Sequence, residues 1–216
     1  MNLIDGLAAT FLLIAILAVA SGRVLSLVRL YSLHSIVLGI TAAAVAALTN
    51  AGHIYIVAAL TIALKGALIP WGLRYVIEKI GVHREVEPLV PLPVSLLICG
   101  VLTALSFYIV QPIVTGHDIL ETITKNSLPM SLAVIFIGFF MMIARKKAIT
   151  QIIGLLIMEN GLFMAAYAVA YGMPLIVELG VFFDILMAAI ILGLLAFRIN
   201  RTFDTVDTTI LRRLHD

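Results

Sequence analysis

Lys65, Glu159 and Asp184 each stand near the middle of a separate apolar run of membrane-spanning length. An isolated charge at the centre of a transmembrane helix costs roughly 2.5–3.5 kcal/mol on insertion scales, so a chain that keeps three must either pair them or use them. The identity of those runs rests on composition. Hydrophobic residues make up 62% of the 216 residues and charged residues 12%, with a mean hydropathy of +1.17, which leaves too little polar surface for a soluble globule. About 20 apolar residues cross a bilayer core as a helix, and we read seven such spans, roughly 3–22, 30–49, 54–77, 89–111, 128–144, 149–171 and 174–197. None shows the two-residue alternation of a transmembrane barrel strand. The expected fold is all-α, a polytopic membrane protein with seven transmembrane helices.

Several functions are excluded at this level. The first span ends in Ala18-Val19-Ala20, which resembles a cleavage site, but Met1 to Gly6 carries Asp5 and no Lys or Arg, so a retained helix is expected rather than a signal peptide. Cys99 is the single cysteine and lies within the fourth span, so this chain alone offers no disulfide framework and no iron–sulfur site. His34 is the one histidine within a span, which leaves no matched axial pair for haem. No nucleotide loop, metal-spaced cluster or nucleophile motif is present, and no cofactor is expected in this chain. The cations cluster in loops rather than in a nucleic-acid patch: Arg23 and Arg29; Arg74, Lys79 and Arg84; Arg145, Lys146 and Lys147; Arg198, Arg201, Arg212 and Arg213. All four clusters fall on one side of a seven-span chain, so the positive-inside rule predicts the N-terminus outside and the C-terminus inside a prokaryotic cytoplasmic membrane.

The hydropathy also hides a repeat. Spans five to seven are a helix ending at Arg145-Lys146-Lys147, a second helix at once, a short outer turn and a third helix ending at Arg198; spans one to three follow the same plan. Ile56-Val57 at the start of span three parallels Ile176-Val177 at the start of span seven, and Lys65 then falls within one residue of the position of Asp184. A three-span unit ends opposite its start, so two copies in one orientation need an extra crossing, which span four supplies. Parallel repeats of this kind build some transport proteins. The expected organisation is a first repeat over 1–80, a connecting helix and outer loop over 81–127, a second repeat over 128–199 and a cytoplasmic tail over 200–216.

Five residues carry the candidate chemistry. Glu159, halfway along span six, suits a proton relay: desolvation favours a neutral carboxyl, and an arriving cation or water favours the ionised one. The alternative is a permanent ion pair with Lys65 or a hydrogen bond to Asn160 or another helix. Asp184 is centred in span seven and can exchange protons with Glu159 if the helices are adjacent; a helix-packing hydrogen bond is the alternative. Glu178, near the outer end of span seven, suits a point where protons enter or leave, or is an ordinary interfacial carboxylate. Lys65 lies five residues before Pro70, which cannot donate to the carbonyl of Gly66, so a break with a freed carbonyl is expected beside the ammonium. His34, near the inner end of span two, suits proton exchange with the cytoplasm, or is an interfacial anchor. Trp71, Tyr108, Tyr167 and Tyr171 are expected as interfacial aromatics.

The run Leu156-Ile157-Met158-Glu159-Asn160-Gly161, then Leu175-Ile176-Val177-Glu178-Leu179-Gly180, Asp184, and Arg198-Ile199-Asn200-Arg201-Thr202-Phe203-Asp204 resembles component E of hydrogenase-4 (HyfE). Lys65 with Pro70, and Gln111-Pro112, also fit that family. Component E is itself similar to the NuoK-type subunit of complex I and to the C subunit of multisubunit Na⁺/H⁺ antiporters, whose second and third spans carry a carboxylate; the matching positions here are Glu159 and Asp184. The first repeat departs from that pattern, with no central carboxylate in span two and Lys65 in span three. The resemblance implies two NuoK-like repeats in a non-catalytic membrane subunit of a group 4 hydrogenase of the formate hydrogenlyase type. It implies antiporter-like membrane subunits and a peripheral arm as partners, with nickel–iron and iron–sulfur centres in those partners, and coupled movement of H⁺ or Na⁺. An antiporter subunit without a redox arm and a purely structural membrane scaffold are the alternatives.

Overall fold

In lipid no water is present to satisfy the backbone, so a spanning segment must bond its own amides, and a chain of long apolar runs folds as helices. The computed structural model describes residues 3–49, 52–80, 89–115 and 126–170, and the described elements are helical. They are α1 (Leu3–Ala20), α2 (Val24–Thr49), α3 (Gly52–Thr61), a wide π-helical segment (Ile62–Leu68) running on into α4 (Ile69–Ile80), α5 (Leu92–Thr115), α6 (Ser127–Ala144) and α7 (Ala148–Ala170). Taking α3, the π segment and α4 as one, six helices among the described residues are long and apolar enough to cross a membrane. The expected seventh span, with Asp184 and Glu178, lies outside the described residues, as does the tail. The third helix of the expected second repeat is therefore not described either.

Helix boundaries differ from expectation in two places. The second span begins at Val24 rather than near residue 30, because Arg29 is exposed on the helix surface and a long basic side chain can stay on a spanning helix while its head reaches polar surroundings. The third span changes to a five-residue hydrogen-bonding register before Pro70, with the Ile69 amide bonding the Leu64 carbonyl. Hydroxyls inside the spans are absorbed locally: Thr10, Thr41, Thr103 and Ser106 each donate to the carbonyl four residues back, which removes the cost of an unbonded hydroxyl in an apolar setting.

Among the described helices, α6 and α7 pack most extensively. A Cβ on Gly138 would lie 2.7 Å from Met158 Cα and 2.8 Å from the Gly154 carbonyl, so the two backbones touch. Small residues permit this approach in membranes, where packing rather than expulsion of water holds helices together. Gly154 lies on that face of α7. At about 100° per residue, Glu159 and Phe163 lie on the other side, and there α7 meets α2, which also packs on α1, α3 and the π segment.

At one end, α1, α5, α6 and α7 are clasped together. The buried Arg145 guanidinium donates to the Val19 carbonyl at the end of α1. The Leu89 amide donates to the Ala144 carbonyl at 2.9 Å, and Gln151 Nε2 to the Arg145 carbonyl at 2.8 Å. Burial draws the Arg145 guanidinium below its ordinary pKa, but an arginine remains cationic at neutral pH and suits the negative end of the α1 dipole. The clasp brings Arg145 to the end of α1 that leads into Arg23, so these two basic groups share one face.

Candidate functional site

A buried ion pair joins the third span to α7. Lys65 Nζ lies 3.3 Å from Glu159 Oε1, with the lysine side chain 0% and the glutamate 8% exposed. The ammonium also sits 4.0 Å from the centroid of the Phe163 ring, one turn beyond Glu159. One cation is thus held by a carboxylate and an aromatic face from the same helix. A desolvated cation over an aromatic ring gains about 2 kcal/mol; the carboxylate is the stronger partner, because opposite charges attract far more in a low-dielectric interior than in water. Of the alternatives open for Glu159, the structure contains the ion pair with Lys65.

Lys65 reaches this position from the π segment. Its neighbour Gly66 accepts a hydrogen bond from Ser32 Oγ of α2. The Gly66 carbonyl, which Pro70 cannot serve, takes a hydroxyl from another helix.

A second polar contact lies one residue along from the pair on α7. Asn160 Nδ2 is 2.9 Å from Ser35 Oγ and 3.1 Å from His34 Nδ1, all fully buried. With the amide donating to both, Nδ1 is an acceptor and this network assigns the imidazole proton to Nε2. The His34 ring stacks on Phe11 of α1, with centroids 3.8 Å apart and planes at 20°. Among the described residues, His34 Nε2 and Asn160 Oδ1 are buried without a hydrogen-bond partner. His34 was expected near the inner end of its span. It is instead the eleventh residue of α2, level with Asn160 through their contact and subject to the charge of Lys65; the earlier start of α2 accounts for the shift.

The structure therefore brings together three expected site residues, Lys65, Glu159 and His34, around α2 and α7. Asp184 and Glu178 lie outside the described residues. Ser32, Ser35 and Phe163 were not singled out from the sequence; the signal available was two serines one turn apart on an apolar helix beside His34, and an aromatic one turn after Glu159. Trp71 and Tyr108 are exposed, whereas Tyr167 is buried with its ring centroid 6.4 Å from that of Phe163. Its partner is the aromatic under Lys65, which draws it into the interior.

No family model matches the chain, and no solved structure matches it. Among curated proteins it is similar to hydrogenase-4 component E of Escherichia coli K12 and of Shigella flexneri, 27% identical over 184 residues, which cover 85% of this chain and 84% of each relative. Similarity is higher to the uncharacterized protein Rv0085 of Mycobacterium tuberculosis H37Rv, 39% identical over 156 residues, or 72% of this chain and 70% of that protein. With six helices fit to cross a membrane and identity of that extent, this multi-pass membrane protein belongs to the same family as Rv0085.

Proposed function

We propose that the protein is a non-catalytic, ion-conducting membrane subunit of a complex I-like energy-converting hydrogenase of the formate hydrogenlyase type. The similarity to hydrogenase-4 component E over 85% of the chain supports the assignment to such an assembly. The observation that carries the ion-conducting role is the buried Lys65–Glu159 pair. Each member can exist charged or neutral, and burial favours the neutral form of both while the partner favours the charged one, so the balance can be tipped by an arriving proton. Glu159 and Asp184 act as proton stations, Lys65 as the modulating charge, Glu178 as the outer exchange point and His34 as the step toward the cytoplasm. The plan of two parallel repeats, 1–80 and 128–199, joined through 81–127, belongs to the same reading, as does an N-terminus outside the cytoplasmic membrane. Nickel–iron and iron–sulfur chemistry falls to the peripheral arm, and antiporter-like subunits are the membrane neighbours.

A second reading, a fixed scaffold, is favoured by the same ion pair, since a permanently paired Lys65 and Glu159 would tie two helices together without moving anything. One variant separates the two. Glu159→Gln is introduced in the native host, and the tagged complex is recovered in mild detergent and identified by mass spectrometry. The conducting reading expects antiporter-like subunits and a redox arm in wild-type amounts, with coupled ion movement in vesicles reduced at least several-fold. Full coupling in this variant sinks the relay role, loss of assembly favours the scaffold, and recovery of antiporter-like subunits without redox proteins points to an antiporter.

A further inference from the structure

We propose that Ser32 and Ser35 of α2 are positioning residues that set the separation of Lys65 and Glu159; the proposal rests on the reading of those two charges as the working pair. Each serine holds the residue next to one charge. Ser32 Oγ donates to the carbonyl of Gly66, which follows Lys65, and Ser35 Oγ accepts from the amide of Asn160, which follows Glu159. The two serines are three residues apart, neighbours on one face of a helix. A single stretch of α2 therefore spaces the third span from α7 at the level where their charges meet.

The bond from Ser32 is specific rather than incidental. The four other hydroxyls described above return to their own helix, four residues back, whereas Ser32 donates across the interface. It does so where the third span leaves the five-residue register at Pro70, which has no amide to offer the Gly66 carbonyl in a four-residue one. Gly66 adds a steric match, since a Cβ there would lie 3.1 Å from Ile36 Cγ1, one turn along α2 from Ser32. A relaxation of the wide segment by one residue turns Lys65 about 100° around the helix axis, which takes its ammonium off Glu159 and off the Phe163 ring. On the other side, Asn160 spends both amide protons on α2, so the rotation of α7 at Glu159 is referred to the same serine-bearing turn.

The test reads the pair directly. A hydrophobic carbodiimide reacts with protonated carboxyls in apolar surroundings, and on this proposal the Lys65 ammonium at 3.3 Å slows that reaction at Glu159. Full-length protein in lipid nanodiscs is treated with dicyclohexylcarbodiimide, and the labelling rate at Glu159 is measured by peptide mass spectrometry against Asp5 and Glu78 as internal references. Lys65→Met should raise the Glu159 rate several-fold. Ser32→Ala should raise it toward the same value with Asp5 and Glu78 unchanged, Ser35→Ala should raise it less, and Ser32→Thr, which keeps the hydroxyl, should restore the wild-type rate. A wild-type rate in Ser32→Ala while Lys65→Met is fast overturns the positioning role and leaves the pair intact. No acceleration in Lys65→Met overturns the pair, and the proposal falls with it. Should Ser32→Ala not fold, Ser32→Cys carries the test, because a thiol is similar in size but a weak donor; a wild-type rate there overturns the proposal.

Discussion

At the scale of single residues, the central quantity is what each charge is worth alone and together. Removing one member of a buried ion pair strands the other, at a cost of about 3–5 kcal/mol, while replacing both by apolar residues of similar volume is often close to neutral. Lys65→Met and Glu159→Leu should each lower the stability of the detergent-solubilised protein by that amount, and the double variant by far less than the sum. The check is a double-mutant cycle on denaturant unfolding; additive losses would mean that the two side chains do not interact. Both charges were legible in the sequence because an ionic group inside an apolar run is conspicuous. The serines were not: in an apolar helix a serine ordinarily bonds its own backbone, and nothing local distinguishes Ser32 from Ser106. Pro70 announced a freed carbonyl, but the group that fills it comes from 34 residues earlier, beyond the reach of any periodicity.

At the scale of elements, contact between α6 and α7 sets the rotation of the helix that carries Glu159. A side chain added at Gly138 must push against backbone rather than a yielding side-chain tip. Gly138→Leu is therefore expected to cost about 1–3 kcal/mol or more, the range for overpacking a filled core, and to displace Glu159 from Lys65. Gly100 on α5 has nothing within 4 Å of an added Cβ, so Gly100→Ala should be neutral or stabilise by up to about 1 kcal/mol through helix propensity. Melting temperatures of the two variants, measured side by side, test the assignment of packed and open helix faces; equal shifts would contradict it. Among the described residues, helix existence was legible from hydropathy. Helix ends and registers were not, because an exposed Arg29 reads as a boundary in sequence while sitting on a continuous helix, and a π turn has no hydropathy signature.

At the scale of the whole molecule, the Arg145 clasp brings the ends of α1 and α6 and the start of α7 to one face, together with the approach to α5. The positive-inside rule reads this face as the cytoplasmic one. In a Cys99→Ala background, a cysteine at Lys146 should be protected from a membrane-impermeant maleimide in intact cells and react after permeabilisation, whereas one at Leu3, exposed at the far end of α1, should react in intact cells. The reverse pattern would invert the orientation. The succession of the described helices was legible because hydropathy is a property of the chain. Which helices meet in the middle was not, since apolar faces carry no addresses and the choice is made by a few glycines, hydroxyls and one ion pair. That pair also bears on how the subunit meets the membrane voltage. Lys65 and Glu159 cancel, and the potential exerts no net pull on a neutral couple. A full crossing of one charge is worth about 2.3 kcal/mol per 100 mV, so a proton arriving at mid-depth would be driven by roughly half of that. On the proposed conducting reading, the field would act on the arriving proton rather than on the pair.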